Sequence, residues 1–239
     1  MIIELVGPSG SGKSTLHHQL YIHLSKGSRI VYRIGHGADF QHPQINSFIS
    51  NISRHCIKTD LLLFPNFAQA VFKYPRFVCS VFIAVFSSRI HFMSVLRSVY
   101  RKIAFTILLR SLSTSNCLFL VDEGLLHSVN NLFIPYSDQL PKKAIADYLN
   151  LIPLPDLTIV LESSLGSLYE RLTQRGDWSP RVKDEKELLQ FLIQSRMLFQ
   201  FVSQHLDSRS SVLTFDTSCM TSYSICTHVQ AFIDSSIDI

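Results

Sequence analysis

Five short runs of apolar residues punctuate the chain, separated by longer stretches of mixed polarity. They are Ile2-Ile3-Glu4-Leu5-Val6, Ile30-Val31-Tyr32-Arg33-Ile34, Cys117-Leu118-Phe119-Leu120-Val121, Leu157-Thr158-Ile159-Val160-Leu161 and Val212-Leu213-Thr214-Phe215. A strand with one wet face alternates apolar and polar side chains, whereas a strand covered on both faces reads as a nearly continuous apolar run. The five runs are therefore expected to be parallel strands, and the stretches between them to carry the covering helices. Lys13 to about Lys26 reads as the first of these helices, with Gly27 as its C-cap, and 164–174 and 185–206 read as two more. The predicted architecture is a three-layer α/β/α fold around a five-stranded parallel sheet.

Two segments break the alternation. Residues 38–115 are too long for one crossover helix, and Pro43, Pro65 and Pro75 are expected to divide this helical insertion between the second and third strands. Residues 171–184 include the polar excursion Arg175-Gly176-Asp177-Trp178-Ser179-Pro180-Arg181, which has the character of a lid. With 239 residues, 46% hydrophobic and 17% charged, the chain can bury a core as a single domain spanning 1–239. Its five cysteines show no C-x-x-C spacing, so neither a zinc site nor a disulfide framework is expected. A reduced, cytoplasmic setting fits best, and Met1 leads straight into the first strand with no room for a charged leader.

The first strand runs into Gly7-Pro8-Ser9-Gly10-Ser11-Gly12-Lys13-Ser14-Thr15, which matches G-x-x-x-x-G-K-[ST] between a strand and a helix. Glycines at this spacing let backbone N–H groups turn toward phosphates, and the helix that follows adds its positive end. Lys13 is expected to reach the β- and γ-phosphates of a nucleoside triphosphate, Ser14 to ligate Mg²⁺, and Thr15 to touch the α-phosphate. A chance Gly/Ser turn is a poor alternative with eight residues in register. The fold is thus expected to be that of a P-loop NTPase, with ATP and Mg²⁺ as cofactors.

The third strand ends in Asp122-Glu123-Gly124. A carboxylate at this position can hold Mg²⁺ directly or through water, although it could also cap a helix. Glu123 has three readings: it orients a nucleophile, reaches a substrate hydroxyl, or caps the next helix. Arg171 and Arg175 lie four apart on one helical face and lead to Trp178 and Arg181. Guanidinium groups on a closing lid can neutralise charge on a transferred phosphoryl group, whereas on spacing alone they would be cations favouring a helix C-terminus.

Taken in order, the phosphate loop, the strand ending in Asp, the R-x-x-x-R segment, the long helix and the final strand followed by Asp216-Thr217-Ser218 resemble the nucleoside and nucleotide kinases, the thymidylate kinase-like branch in particular. The resemblance covers roughly 1–40 and 116–239. It implies ATP–Mg²⁺ roles for Lys13, Ser14 and Asp122, lid roles for Arg171 and Arg175, and a place near the adenine for Asp216-Thr217-Ser218. It also implies a base after the second strand, where Asp39 stands with His36 as its rival; both are equally at home in a turn. Thymidylate kinases carry Asp-Arg after the third strand; here the second residue is Glu123, an acid where an arginine would grip an acceptor's phosphate.

The net charge of +4 hides an uneven distribution, since no acidic residue occurs between Asp60 and Asp122. The apolar run Phe77–Phe86 spans only half a bilayer, so it reads first as a buried helix. Joined to Arg89, Arg97, Arg101 and Lys102, it also reads as a surface over 73–110 for an anionic membrane or a lipid-linked acceptor, peripheral at the inner face of the membrane. Nucleic acid is disfavoured because recognition motifs are missing. The expected function is transfer of the ATP γ-phosphate to a small-molecule acceptor; the alternative is an ATPase or regulatory NTP-binding module. The Leu-Ser-Gly-Gly-Gln signature of transporter ATPases and the Asn-Lys-x-Asp motif of GTPases are absent from the sequence.

Overall fold

The computed structural model describes residues 1–27, 29–34, 57–87, 92–113, 116–134, 139–176, 178, 182–206 and 209–237. Five strands, β1 (Ile2–Val6), β2 (Ile30–Ile34), β3 (Cys117–Asp122), β4 (Leu157–Glu162) and β5 (Ser211–Asp216), form one parallel sheet in the order β2-β3-β1-β4-β5. The helices among the described residues are α1 (Lys13–Leu24), α2 (Ile57–Lys73), α3 (Pro75–Ser87), α4 (Phe92–Leu112), α5 (Ser128–Phe133), α6 (Lys142–Leu151), α7 (Leu165–Arg175), α8 (Glu185–Leu206) and α9 (Ser222–Ile237).

Alternate residues of each strand feed opposite faces of the sheet, as the pleat requires. Ile3, Leu5, Leu118, Leu120, Ile159 and Leu161 meet Leu16 and Leu20 of α1 and Ile225, Val229 and Ile233 of α9. Val6 and Val160 face the opposite way, into a larger core with α3, α4, α6 and α8. Each fully buried Leu or Ile in these layers contributes about 1.5–3 kcal/mol relative to leaving it in water. The central position of β1 has a functional consequence. From β1 the chain leaves through α1 on one face, and from the neighbouring β3 it leaves through α5 and α6 on the other. Adjacent strands whose connections part in this way open a crevice at their carboxyl ends, and such a crevice is where open α/β sheets bind ligands.

The insertion between β2 and β3 departs from expectation at Pro65, which lies inside α2 instead of dividing it. Proline removes one helical hydrogen bond, but Pro65 and Leu61, one turn before it, are both exposed, so water can serve the freed carbonyl. Pro75 does divide: it opens α3, and α2 and α3 meet at 108°. Pro43 lies outside the described residues. The first helix stops at Leu24 with Ser25 as its cap, and Gly27 falls in the turn beyond. Among the described residues no single helix is long and apolar enough to cross a membrane; α2 and α3 reach that length only as the bent pair.

Candidate active site

The loop after β1 is shaped by what glycine permits. At Gly7 the backbone has φ 153°, and a Cβ would stand 2.5 Å from the Leu161 carbonyl oxygen of β4, so no other residue brings the loop this close to the sheet. Gly12 takes the left-handed conformation at the N-cap of α1, φ 88°, and no side chain caps the helix. The first N–H groups of α1 are therefore left for an anion. Lys13 is buried, and its Nζ donates to the carbonyls of Gly7 and Pro8, each at 2.9 Å. Burial lowers its pKa; the negative charges of Glu123 and Asp122 act against that, and Arg175 adds to it. All three groups thus lie within electrostatic reach of the loop.

Ser14 Oγ donates to Asp122 Oδ2 at 3.1 Å, tying α1 to the end of β3. The other oxygen, Asp122 Oδ1, is buried without a partner, and so is Ser11 Oγ. A buried orphan oxygen costs about 1–3 kcal/mol unless something meets it. Together with the exposed Ser14 and Thr15, this set fits Mg²⁺ and phosphate oxygens. Among the described residues no group of three or more His, Cys, Asp or Glu side chains makes a different metal site.

On the far side of the loop, Arg171 acts as a clasp. Its guanidinium donates to Gly10 O (3.1 Å), Thr217 Oγ1 (3.4 Å) and Thr217 O (3.3 Å), while Thr217 Oγ1 also reaches Ser11 O and Glu162 O, both at 3.1 Å. The Arg171 side chain expected on a lid thus joins the phosphate loop to the segment after β5. Ser164 caps α7 at its start, and Gly176, φ 61°, ends it. Trp178 packs with Leu168, Leu172, Leu188 and Leu192 between α7 and α8. Arg181 lies outside the described residues.

The turn after β3 is the other wall. Glu123 has φ 58°, the single positive value among the described non-glycine residues, and its side chain remains 44% exposed. Beneath the turn lies Glu4, a buried carboxyl in the middle of β1. It accepts the His127 N–H at 3.0 Å, and a Cβ on Gly124 would fall 2.5 Å from Glu4 Cδ. Burial raises the Glu4 pKa to about 7, while hydrogen bonds from the backbone of His127, Leu126 and Leu125 pull the other way. The buried His127 ring stacks on Phe199 at 5.5 Å with Nε2 3.9 Å from Glu123 Oε1, and its Nδ1 has no partner. Burial, then Lys13 and Lys102, push its pKa well below the ordinary value, so the imidazole is neutral.

Lys102 corrects the reading of the acid-free middle. Burial lowers its pKa while Glu123, Glu4 and Asp122 act to raise it, which puts its charge within reach of the crevice. Arg97 and Arg101 of the same helix hold Asp60 at 2.7 and 2.6 Å. Two of the four cations expected on a lipid-facing surface, Arg97 and Arg101, are therefore paired inside the chain, and Lys102 feels the acids of the crevice; Arg89 lies outside the described residues. Asp39 and His36 also lie outside them. Sequence reasoning singled out neither Glu4 nor His127, and it assigned Lys102 elsewhere. The available signal was Glu4, a lone charge in an otherwise apolar strand.

A doubly covered parallel sheet with a glycine loop after its central strand and an Asp after the neighbouring one is a fold that solved nucleoside and nucleotide kinases share. Among solved structures the chain is similar to deoxyadenosine kinase from M. mycoides with dCMP and dCDP bound, at 12% identity and TM-score 0.57, covering 98% of this chain and 100% of that one. The dATP-bound form of that kinase gives 14% identity and TM-score 0.53 over the same shares. Thymidylate kinase from Candida albicans gives 15% and 0.52, covering 98% of this chain and 91% of that one. No protein-family profile and no curated protein sequence matches the chain.

Proposed function

We propose that this protein is an ATP-dependent phosphotransferase that passes the γ-phosphate of ATP to a small-molecule acceptor. The observation that carries the reading is the Ser14–Asp122 hydrogen bond at 3.1 Å, with Asp122 Oδ1 buried and unpartnered, at the mouth of an uncapped helix. Ser14 and Asp122 would hold Mg²⁺, which when bound neutralises charge on the β- and γ-phosphates. Lys13 would exchange the Gly7 and Pro8 carbonyls for phosphate oxygens. Arg171 fixes the far wall of the loop, and Arg175 adds positive charge beside Lys13. We read the chain as one kinase domain spanning 1–239, in which the insertion 38–115 covers the acceptor and 171–184 serves as a lid.

The test is acceptor-dependent consumption of ATP. Nucleosides and nucleoside monophosphates head the panel, because the solved neighbours act on nucleosides or nucleotides. A steady ATP loss that no acceptor accelerates supports the second reading, an ATPase or regulatory module, which the adjacent Asp122 and Glu123 favour. On either reading the setting is cytoplasmic. Contact with an anionic membrane or lipid-linked acceptor would now rest on a smaller patch, Phe72 (86% exposed) with the exposed Lys73 and Arg76 beside it. Sedimentation with anionic but not zwitterionic vesicles, lost on Phe72→Ser, tests it.

A further inference from the structure

We propose that the reacting group of the acceptor is an alcohol and not a phosphate, and that Glu123 is the carboxylate that takes its proton. This rests on the phosphotransferase reading and narrows it. The two kinds of acceptor ask opposite things of a site. A phosphate arrives ionised, needs no base, and needs cations to relieve its repulsion with the γ-phosphate. An alcohol arrives neutral and must lose a proton as its oxygen bonds to phosphorus, so a carboxylate serves it.

The end of β3 meets the second demand. Asp122 is followed directly by a second acid, and Glu4 lies just beneath the turn. A dianion placed there would face the two adjacent carboxylates of Asp122 and Glu123. Glu123 is also held in a way that packing does not require. Its left-handed backbone, φ 58°, is strained for a non-glycine residue, and glycine would adopt it freely. The side chain is only partly buried, 44% of it remaining exposed, so burial does little to offset this strain.

What holds Glu123 there is a seat built from three elements. Glu4 of β1 accepts the His127 N–H and packs against Gly124, which fixes the turn that carries Glu123. The His127 ring, stacked on Phe199 of α8, stands 3.9 Å from the Glu123 carboxylate and bears no charge, so the two pack together without forming an ion pair. In the step itself, the acceptor oxygen bonds to the γ-phosphorus and its proton passes to Glu123. The bond from that phosphorus to the β–γ bridging oxygen breaks, and ADP leaves with the electron pair. Glu123 is then the catalytic residue, and Glu4 a positioning residue.

The experiment supplies ATP–Mg²⁺ with nucleosides and monosaccharides on one side and nucleoside monophosphates on the other, and follows the new bond by ³¹P NMR. A phosphomonoester is the expected product. Glu123→Gln should lower turnover at least about 100-fold with ATP affinity unchanged, and Glu123→Asp, which keeps the carboxylate, should retain more. A phosphoanhydride product overturns the inference while leaving the phosphotransferase reading intact. So does a Glu123→Gln protein that keeps its turnover while Asp39→Asn loses it. A folded, ATP-binding chain that phosphorylates nothing in the panel overturns both.

Discussion

At the end of β1 a ligand would meet backbone; at the end of β3 it would meet side chains drawn from several elements. In the proposed reaction the donor wall is made of glycine conformations, an uncapped helix start and one lysine folded onto its own loop, and the acceptor wall lies at the end of β3. Its pieces lie within nine consecutive residues, so their spacing alone identifies it. The acceptor wall gathers Glu4 from β1, Glu123 and His127 from the turn after β3, Phe199 from α8 and Lys102 from α4. Nearly two hundred residues separate the first from the last. On the proposed reading, recognition of phosphate is thus local in the sequence, while the choice of acceptor draws on residues far apart along the chain.

Lys13 and Lys102 put that contrast to the largest test. Both are cations whose pKa burial lowers and the crevice acids raise. Lys13→Met should weaken turnover by about 10²–10³, the usual cost of removing one preorganised charge from phosphoryl transfer, and should weaken ATP binding with it. Lys102→Met should leave ATP affinity in place and raise the KM for the acceptor. Calorimetric titration with ATP–Mg²⁺, alongside acceptor kinetics, separates the two. Equal loss of ATP affinity in both variants would merge the walls into one site.

The same division explains what the sequence made legible. Continuous apolar runs located all five strands to within one residue at each end, because burial on both faces leaves little room for polar side chains. The place of the glycine loop between β1 and α1, and of Asp122 at the end of β3, was legible from local pattern as well. Pro65 misled, since a proline ends a helix only where its lost hydrogen bond cannot be met, and that depends on tertiary exposure. The final helix was missed because its surface is serine-rich, although Ile225, Val229 and Ile233 recur at four-residue spacing and Thr221 caps it. Glu4 and His127 acquire a role only once β1, β3 and α8 are side by side, and no spacing along the chain encodes that neighbourhood.

Glu4 offers a pH test that the donor wall cannot mimic. Its carboxyl titrates at about 7 in the fold against 4.5 as the ordinary value. Below pH 4.5 it is protonated folded or unfolded and costs nothing; as pH rises from there through about 7, the unfolded chain releases the proton first, and stability falls. At 1.36 kcal/mol per pH unit, the loss comes to about 3 kcal/mol and is complete above pH 7. Glu4→Gln should remove this slope, so denaturant unfolding at pH 5 and pH 8 should show the variant gaining on the native chain. Parallel profiles for the two proteins would mean that the carboxyl is not buried under the turn.

The smallest expected effect is the most specific, because it asks what each glycine is pressed against. Alanine at Gly124 would place a Cβ 2.5 Å from Glu4 Cδ, and alanine at Gly7 would place one 2.5 Å from the Leu161 carbonyl oxygen. Each substitution should cost about 1–3 kcal/mol, the range for overpacking a buried site. The second partner is a side chain in one case and backbone in the other, and only a side chain can be cut back. Glu4→Ala should therefore recover about 1 kcal/mol or more of the Gly124→Ala loss in a double-mutant cycle. Ser11→Ala, which removes the hydroxyl 2.9 Å from the same Gly7 Cβ, should recover almost none of the Gly7→Ala loss, since the carbonyl stays where β4 holds it. Additivity of Gly124→Ala with Glu4→Ala would separate Glu4 from the turn and leave the left-handed Glu123 without the support that β1 gives it.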